Sequence, residues 1–210
     1  MLQFITNENS AVSPTKQILD AIEGGCRWVQ IRLKDASDDE IKRIFFEIRD
    51  KAKETLTTVI INDRVALVKE LGSEGVAGVH LGLEDMPAAE ARVQLGPDAI
   101  IGVTAHNYDE AATYKGLDID YIGIGPFAAT DTKKNLAPIL GLEGITEIIL
   151  RIKDLGMETP LVAVGGIKLD DVKPLLEVGA NGIAVSGAIA NADDIREATR
   201  SFLAELPIDE

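Results

Sequence analysis

The chain has 210 residues, 46% of them hydrophobic, enough to bury the core of one domain. Its 21 Lys and Arg against 35 Asp and Glu leave a formal charge of −14, which argues against a surface built to neutralise nucleic-acid phosphates or anionic lipid; any anionic ligand must find a local basic pocket. Cys26 is the only cysteine, so no internal disulfide can form, and no apolar run approaches the roughly 20 residues of a membrane-spanning helix; a reduced, cytoplasmic protein is the expectation.

Met1–Thr6 lacks the basic and apolar regions of a secretion signal and reads as the opening of a strand over Leu2–Thr6. Ser13-Pro14 then sets a capping hydroxyl before a proline at the first helical position; Ile18, Leu19 and Ile22 share a face, and Gly24-Gly25 ends the helix. A second strand, Trp28–Ile31, runs into Gln30-Ile31-Arg32-Leu33-Lys34, where alternation sends Gln30, Arg32 and Lys34 to one side of an extended segment. Arg32 can grip phosphate oxygens bidentately and Lys34 can supply a mobile point charge, although ion pairs along a solvated edge would give the same pattern. Ser37 with Glu40 forms a capping box ahead of Ile41, Ile44, Phe45, Ile48 and Ala52 at helical spacing.

The third strand, Thr58–Ile61, ends in Asn62-Asp63, and the fourth, Gly78–Leu81, leads through Gly82 to Asp85. Carboxylates on neighbouring strand ends can share a cation, and oxygen ligands beside Arg and Lys suit a Mg2+ that keeps several waters and bridges to a diphosphate. Both Asp63 and Asp85 also precede helical stretches and could serve only as caps. After a helix over Pro87–Leu95, the fifth strand, Ala99–Val103, leads to Thr104-Ala105-His106, and a helix runs over Tyr108–Tyr114. The sixth strand, Tyr121–Ile124, opens the one long polar connection, Pro126 to Leu140, whose Thr130, Thr132 and Lys133 could close over an anion.

A helix over Leu142–Leu155 precedes the seventh strand, Leu161–Val164, which ends in Gly165-Gly166; a helix over Leu169–Glu177 precedes the eighth, Gly182–Val185, which ends in Ser186-Gly187. Small residues at these two ends let backbone N–H groups approach a phosphate, though tight turns alone also call for glycine. The last helix spans Asp193–Leu203. His80 and His106, the only histidines, have no nucleophile at a suggestive spacing, so both read as hydrogen-bonded packing residues and no catalytic triad is expected.

Eight mostly apolar runs, roughly 25 residues apart, alternate with amphipathic stretches from end to end, without a linker. Eight unbroken βα units favour closure over a doubly wound open sheet, so the expectation is an α/β (β/α)8 TIM barrel, one domain over residues 1–210, with its site at the C-terminal ends of the strands. Phosphate sites after strands seven and eight recur in that architecture.

Taken in order, Val29-Gln30-Ile31-Arg32-Leu33-Lys34, Ile61-Asn62-Asp63-Arg64, Gly78-Val79-His80-Leu81-Gly82 through Asp85, Gly102-Val103-Thr104-Ala105-His106, Gly125-Pro126 through Lys133, and Val164-Gly165-Gly166-Ile167 resemble the thiamine phosphate synthase family over nearly the whole chain. The resemblance implies condensation of 4-amino-2-methyl-5-hydroxymethylpyrimidine diphosphate with 4-methyl-5-(2-phosphoethyl)thiazole, with Mg2+ as cofactor. It assigns Gln30, Arg32, Lys34 and Asn62 to the pyrimidine diphosphate, Asp63 and Asp85 to the metal, Thr104 to the neighbourhood of the pyrimidine, and Lys133 to the diphosphate. Thr130, Thr132, Gly166 and the Ser186-Gly187 backbone fall to the thiazole phosphate, and Gly165 is expected among the substrate-binding residues. Rival readings are a thiazole tautomerase of the same fold, whose loop histidine would fall at Pro126, another sugar-phosphate barrel enzyme using Asp63 as a base, and a non-catalytic protein that binds thiamine phosphate. Small phosphorylated molecules are the expected partners, and a homodimer is compatible with the chain although no apolar interface stripe stands out.

Overall fold

The computed structural model describes residues 1–129 and 137–207. Eight parallel strands close into one barrel in chain order: β1 (Leu2–Ile5), β2 (Trp28–Ile31), β3 (Thr58–Asn62), β4 (Gly78–Leu81), β5 (Ile100–Ala105), β6 (Tyr121–Ile124), β7 (Leu161–Val164) and β8 (Gly182–Val185). Pairing of Leu2 with Ile183 and of Phe4 with Val185 joins the first strand to the last. Around the sheet lie α1 (Pro14–Glu23), α2 (Asp38–Glu54), α3 (Val65–Leu71), α4 (Ala88–Leu95), α5 (Tyr108–Ala112), α6 (Gly141–Asp154), α7 (Val172–Glu177), α8 (Gly187–Ala190) and α9 (Ile195–Ala204). The expected (β/α)8 barrel is the fold.

The helices form where the punctuation puts them. Ser13 caps α1 by accepting from the Lys16 N–H, with Pro14 inside the first turn. In α2 the Ser37 hydroxyl accepts from the Glu40 N–H, three acidic residues occupy the first turn, and Lys51 and Lys53 stand in the last, all favourable to the helix dipole. The buried face of α2 is Ile41, Ile44, Phe45, Ile48 and Ala52, the five residues that periodicity marks.

The sheet divides the apolar core into two. Outside it, the large helix-facing cluster includes Phe4, Ile18, Val29, Phe45 and Ile148; inside the barrel, Ile5, Ile60, Tyr121, Val162 and Ala184 pack with Trp28, Ile100 and Val164. The interior has room for the Tyr121 ring because β5 carries Gly102 beside it: a Cβ there would stand 2.0 Å from the ring. Cys26 is fully buried, with its sulfur 3.2 Å from the Trp28 carbonyl.

Several boundaries differ from the sequence reading. Strand β5 continues to Ala105, so Thr104 is a strand residue and not part of the following loop, while β1 stops one residue early at Ile5. The stretch Leu169–Glu177 begins with a single 3-10 turn, Leu169–Asp171, before α7. Helices α3 and α8 carry no side-chain cap and span only seven and four residues, too short for a periodic signal.

Candidate functional site

At the C-terminal mouth of the barrel lies a cavity of about 480 Å3, within the size range of small-molecule sites. Of the residues singled out by sequence, Arg32, Thr104, Gly165, Gly166, Ser186 and Gly187 line it. Thr130, Thr132 and Lys133 lie outside the described residues.

Arg32 stands just past β2 and is 7% exposed. Buried Thr6 pins its backbone, donating its hydroxyl to the Arg32 carbonyl (3.0 Å) and accepting from the Arg32 N–H (2.8 Å). Lys34, two residues on, is exposed, and its N–H donates to Glu8. Gln30 is on the same side of the strand but one layer deeper, inside the barrel, where its amide donates to Gln3 Oε1 at 3.3 Å. The three side chains therefore do not converge on one point: the cations reach the rim, and the amide belongs to the interior. Asn62 is buried at the end of β3, in register with His80.

Asp63 adopts a left-handed backbone conformation, with φ +65°, which Asp tolerates better than most residues. The capping alternative fails for both acids, since Arg64 and Pro87 occupy the cap positions of α3 and α4. Asp85 instead folds back to accept from the Gly82 N–H at 2.6 Å. Its carboxyl group also shares a hydrogen bond with Asp63. Burial, followed by the hydrogen bond and charge of Asp85, pushes the Asp63 carboxyl up to about 7, while Lys34 and Arg32 pull it back down. Two acids and two cations from separate turns thus act on one another at one rim. Among the described residues no group of three or more His, Cys, Asp or Glu is placed to hold a metal.

On the opposite side of the cavity, Gly165 and Gly166 have φ of +98° and +68°. A Cβ on Gly166 would lie 2.6 Å from the Ala129 carbonyl oxygen, so the pair serves a tight turn as well as opening backbone to the cavity. The Ser186 hydroxyl is buried with no hydrogen-bond partner among the described residues, a costly state unless a ligand supplies one.

Sequence reasoning missed Asn7, Asn9, Lys168 and Asn191, which also line the cavity. Asn7 Oδ1 accepts from the Asn9 N–H, and buried Gln17 of α1 ties down both backbone polar groups of Asn7. This leaves the Asn7 amide NH2 beside Gly187, where Asn191 presents another. Asn7 comes after β1 as Arg32 comes after β2, and Lys168 stands two residues past Gly166; the strand-end rule that found the others would have found both. Asn191 had no signal, because α8 carried none.

Both histidines are hydrogen-bonded, as expected: His80, which lies within β4 and not past its end, to Tyr121 and Thr104, and His106, just past β5, to Glu110. No helix is long and apolar enough to cross a membrane among the described residues.

A family model described as thiamine monophosphate synthase matches residues 2–189. A thiamine-phosphate synthase of Bacteroides fragilis is 44% identical over 202 residues, covering 96% of this chain and 98% of that one. One of Phocaeicola vulgatus is 46% identical over 193 residues, covering 92% and 91%. Among solved structures, the thiamine phosphate pyrophosphorylase of Pyrococcus furiosus superposes with a TM-score of 0.82 at 31% identity, covering 97% of this chain and 94% of that one.

Proposed function

Because the chain belongs to the thiamine monophosphate synthase family, we propose that it joins 4-amino-2-methyl-5-hydroxymethylpyrimidine diphosphate to 4-methyl-5-(2-phosphoethyl)thiazole, releasing diphosphate and thiamine phosphate. What supports this reading is one cavity whose two ends carry groups suited to anions. Arg32, next to the Asp63–Asp85 pair, marks one end, and Ser186, Lys168 and the Asn7 amide mark the other.

In the reaction the bond from the pyrimidine methylene carbon to the diphosphate oxygen breaks with its electron pair leaving on oxygen, and the thiazole nitrogen donates the pair that forms the new C–N bond. No proton has to be removed from the nucleophile, so the site needs charge stabilisation and alignment and no general base. Arg32 and Lys34 face the negative charge that grows on the departing diphosphate. Lys133 is assigned to the same charge, and Thr130 and Thr132 to the thiazole phosphate, on the family resemblance alone. The Gly166 turn, Ser186 and Gly187 hold that phosphate by short-range donors.

The carboxyl pair suits Mg2+. Burial and the neighbouring Asp85 raise the Asp63 carboxyl to about 7, and a divalent ion taken up by hard oxygen ligands would replace its proton. Bound there, Mg2+ would offset the charge of the diphosphate as it leaves.

The tautomerase alternative asks for a ring nitrogen where Pro126 lines the cavity. The reading further includes a cytoplasmic location, in keeping with the one unpaired cysteine, and a homodimer, which light scattering on the purified chain tests directly.

The deciding experiment mixes purified protein, Mg2+ and both substrates. Diphosphate appearing one-for-one with thiamine phosphate is expected; no product where a control synthase turns over rejects the assignment.

A further inference from the structure

Below the cavity floor, side chains from five strands form a line of polar contacts that ends at Thr104. Gln30 of β2 donates to Gln3 Oε1 of β1 at 3.3 Å, and Gln3 Nε2 donates to the Tyr121 hydroxyl of β6 at 3.2 Å. That oxygen lies 2.8 Å from His80 Nδ1 on β4, and His80 Nε2 lies 2.9 Å from Thr104 Oγ1 on β5. Thr104 lines the cavity.

The line has a direction. A phenol hydroxyl both donates and accepts. The Gln3 amide donates to Tyr121, and Gln3 Oε1 is already taken by Gln30, so among the described partners His80 Nδ1 is the one left to accept the phenol proton. A neutral imidazole whose Nδ1 accepts carries its proton on Nε2, and that N–H donates to Thr104 Oγ1. The Thr104 hydroxyl proton is thereby turned away from His80 and toward the cavity. Burial pushes the Tyr121 phenol well above its ordinary range, so it keeps its proton. Its ring is fixed as well, edge-on to Trp28 with centroids 4.8 Å apart, stacked on His80 at 5.4 Å, and seated where Gly102 leaves space.

We propose that Tyr121 is a positioning residue of the site: by donating to His80 it locks the Nε2–H tautomer, and so presents the Thr104 hydroxyl to the cavity as a donor, selecting a heteroaromatic ligand with a ring-nitrogen acceptor at that point. The identity of that ligand as the pyrimidine substrate rests on the function proposed above; the proton wiring does not.

The test reads the wiring without turnover. The chain has two histidines, so long-range nitrogen–proton correlation spectra of histidine-labelled protein contain two ring systems, and His106→Gln assigns them. His80 in the unmodified protein should show a protonated Nε2 and an unprotonated Nδ1. Tyr121→Phe should let both tautomers appear and raise the KM for the pyrimidine diphosphate by roughly 3- to 10-fold, the loss of one neutral hydrogen bond, with the thiazole phosphate KM unchanged. Thr104→Val should give the same KM shift while His80 keeps its proton on Nε2, and Thr104→Ser should restore the KM. A proton on Nδ1 in the unmodified protein, or a tautomer indifferent to Tyr121→Phe, overturns the proposal. If Tyr121→Phe does not fold, the unmodified spectrum and the Thr104 pair decide. An Nε2–H spectrum from a protein that forms no thiamine phosphate rejects the substrate reading and leaves the wiring standing.

Discussion

Replacing Asp63 by Asn should make the metal-free protein more stable while abolishing its response to Mg2+. The Asp63 carboxyl sits at about 7 in the fold, against roughly 3.9 in an unfolded chain. Because the folded value is the higher one, the folded state holds more protons between those two pH values. Stability conferred by the protonated carboxyl is complete below about 4 and is lost as pH rises toward 7. Three units correspond to about 4 kcal/mol as a ceiling, but the carboxyl is partly open to solvent, so about 1–2 kcal/mol is the working figure. The amide of an asparagine cannot ionise and can donate to Asp85, and asparagine tolerates the positive φ of this position, which would strain Ala. At pH 8 without metal, Asp63→Asn should melt about 2–8 °C above the unmodified protein, and the gap should close at pH 4. Added Mg2+ should raise the Tm of the unmodified protein only. Scanning calorimetry at the two pH values decides: a lower Tm for the variant at pH 8, or a gap that ignores pH, refutes the paired-carboxyl account.

Gly102→Ala drives a methyl to within 2.0 Å of the Tyr121 ring and should cost about 1–3 kcal/mol in urea unfolding; an unchanged midpoint would mean the interior is not packed as described. Cys26 should resist a thiol reagent in the native protein and react only on unfolding, since burial both shields it and raises its pKa; prompt native labelling would contradict its placement. Asn7→Ala should raise the KM for the thiazole phosphate by roughly tenfold, the loss of a hydrogen bond to a charged group, without changing that for the pyrimidine diphosphate; equal effects on both would move Asn7 out of the phosphate end.

The barrel was legible because each strand and most helices carry local marks: Ser37 with Glu40, Ser13 before Pro14, apolar strands between them. The rim was legible for a related reason, since Arg32, Asp63, Asp85 and Ser186 all come after strands, and a closed parallel barrel brings every strand end to the same face. The features that escaped were non-local, or local without a mark. Thr104 extends β5 as a β-branched residue, so nothing in sequence separates the last strand position from the first of the loop. The line from Gln3 through Tyr121 and His80 to Thr104 joins residues 118, 41 and 24 apart in the chain. Gln30 likewise reads as one of three alternating polar residues, and only the depth of the barrel tells it from Arg32.

Seven of the strand pairings join consecutive βα units, and only β1 with β8 joins the two ends of the chain. Asn7 emerges from one side of that seam and Ser186 from the other, so half of the cavity does not exist until the chain's first and last strands have met. Such a long-range closure is the slow kind of step in folding. A phosphate held there would act as a clasp across the join, favouring the closed ring over any form in which the terminal strands have parted.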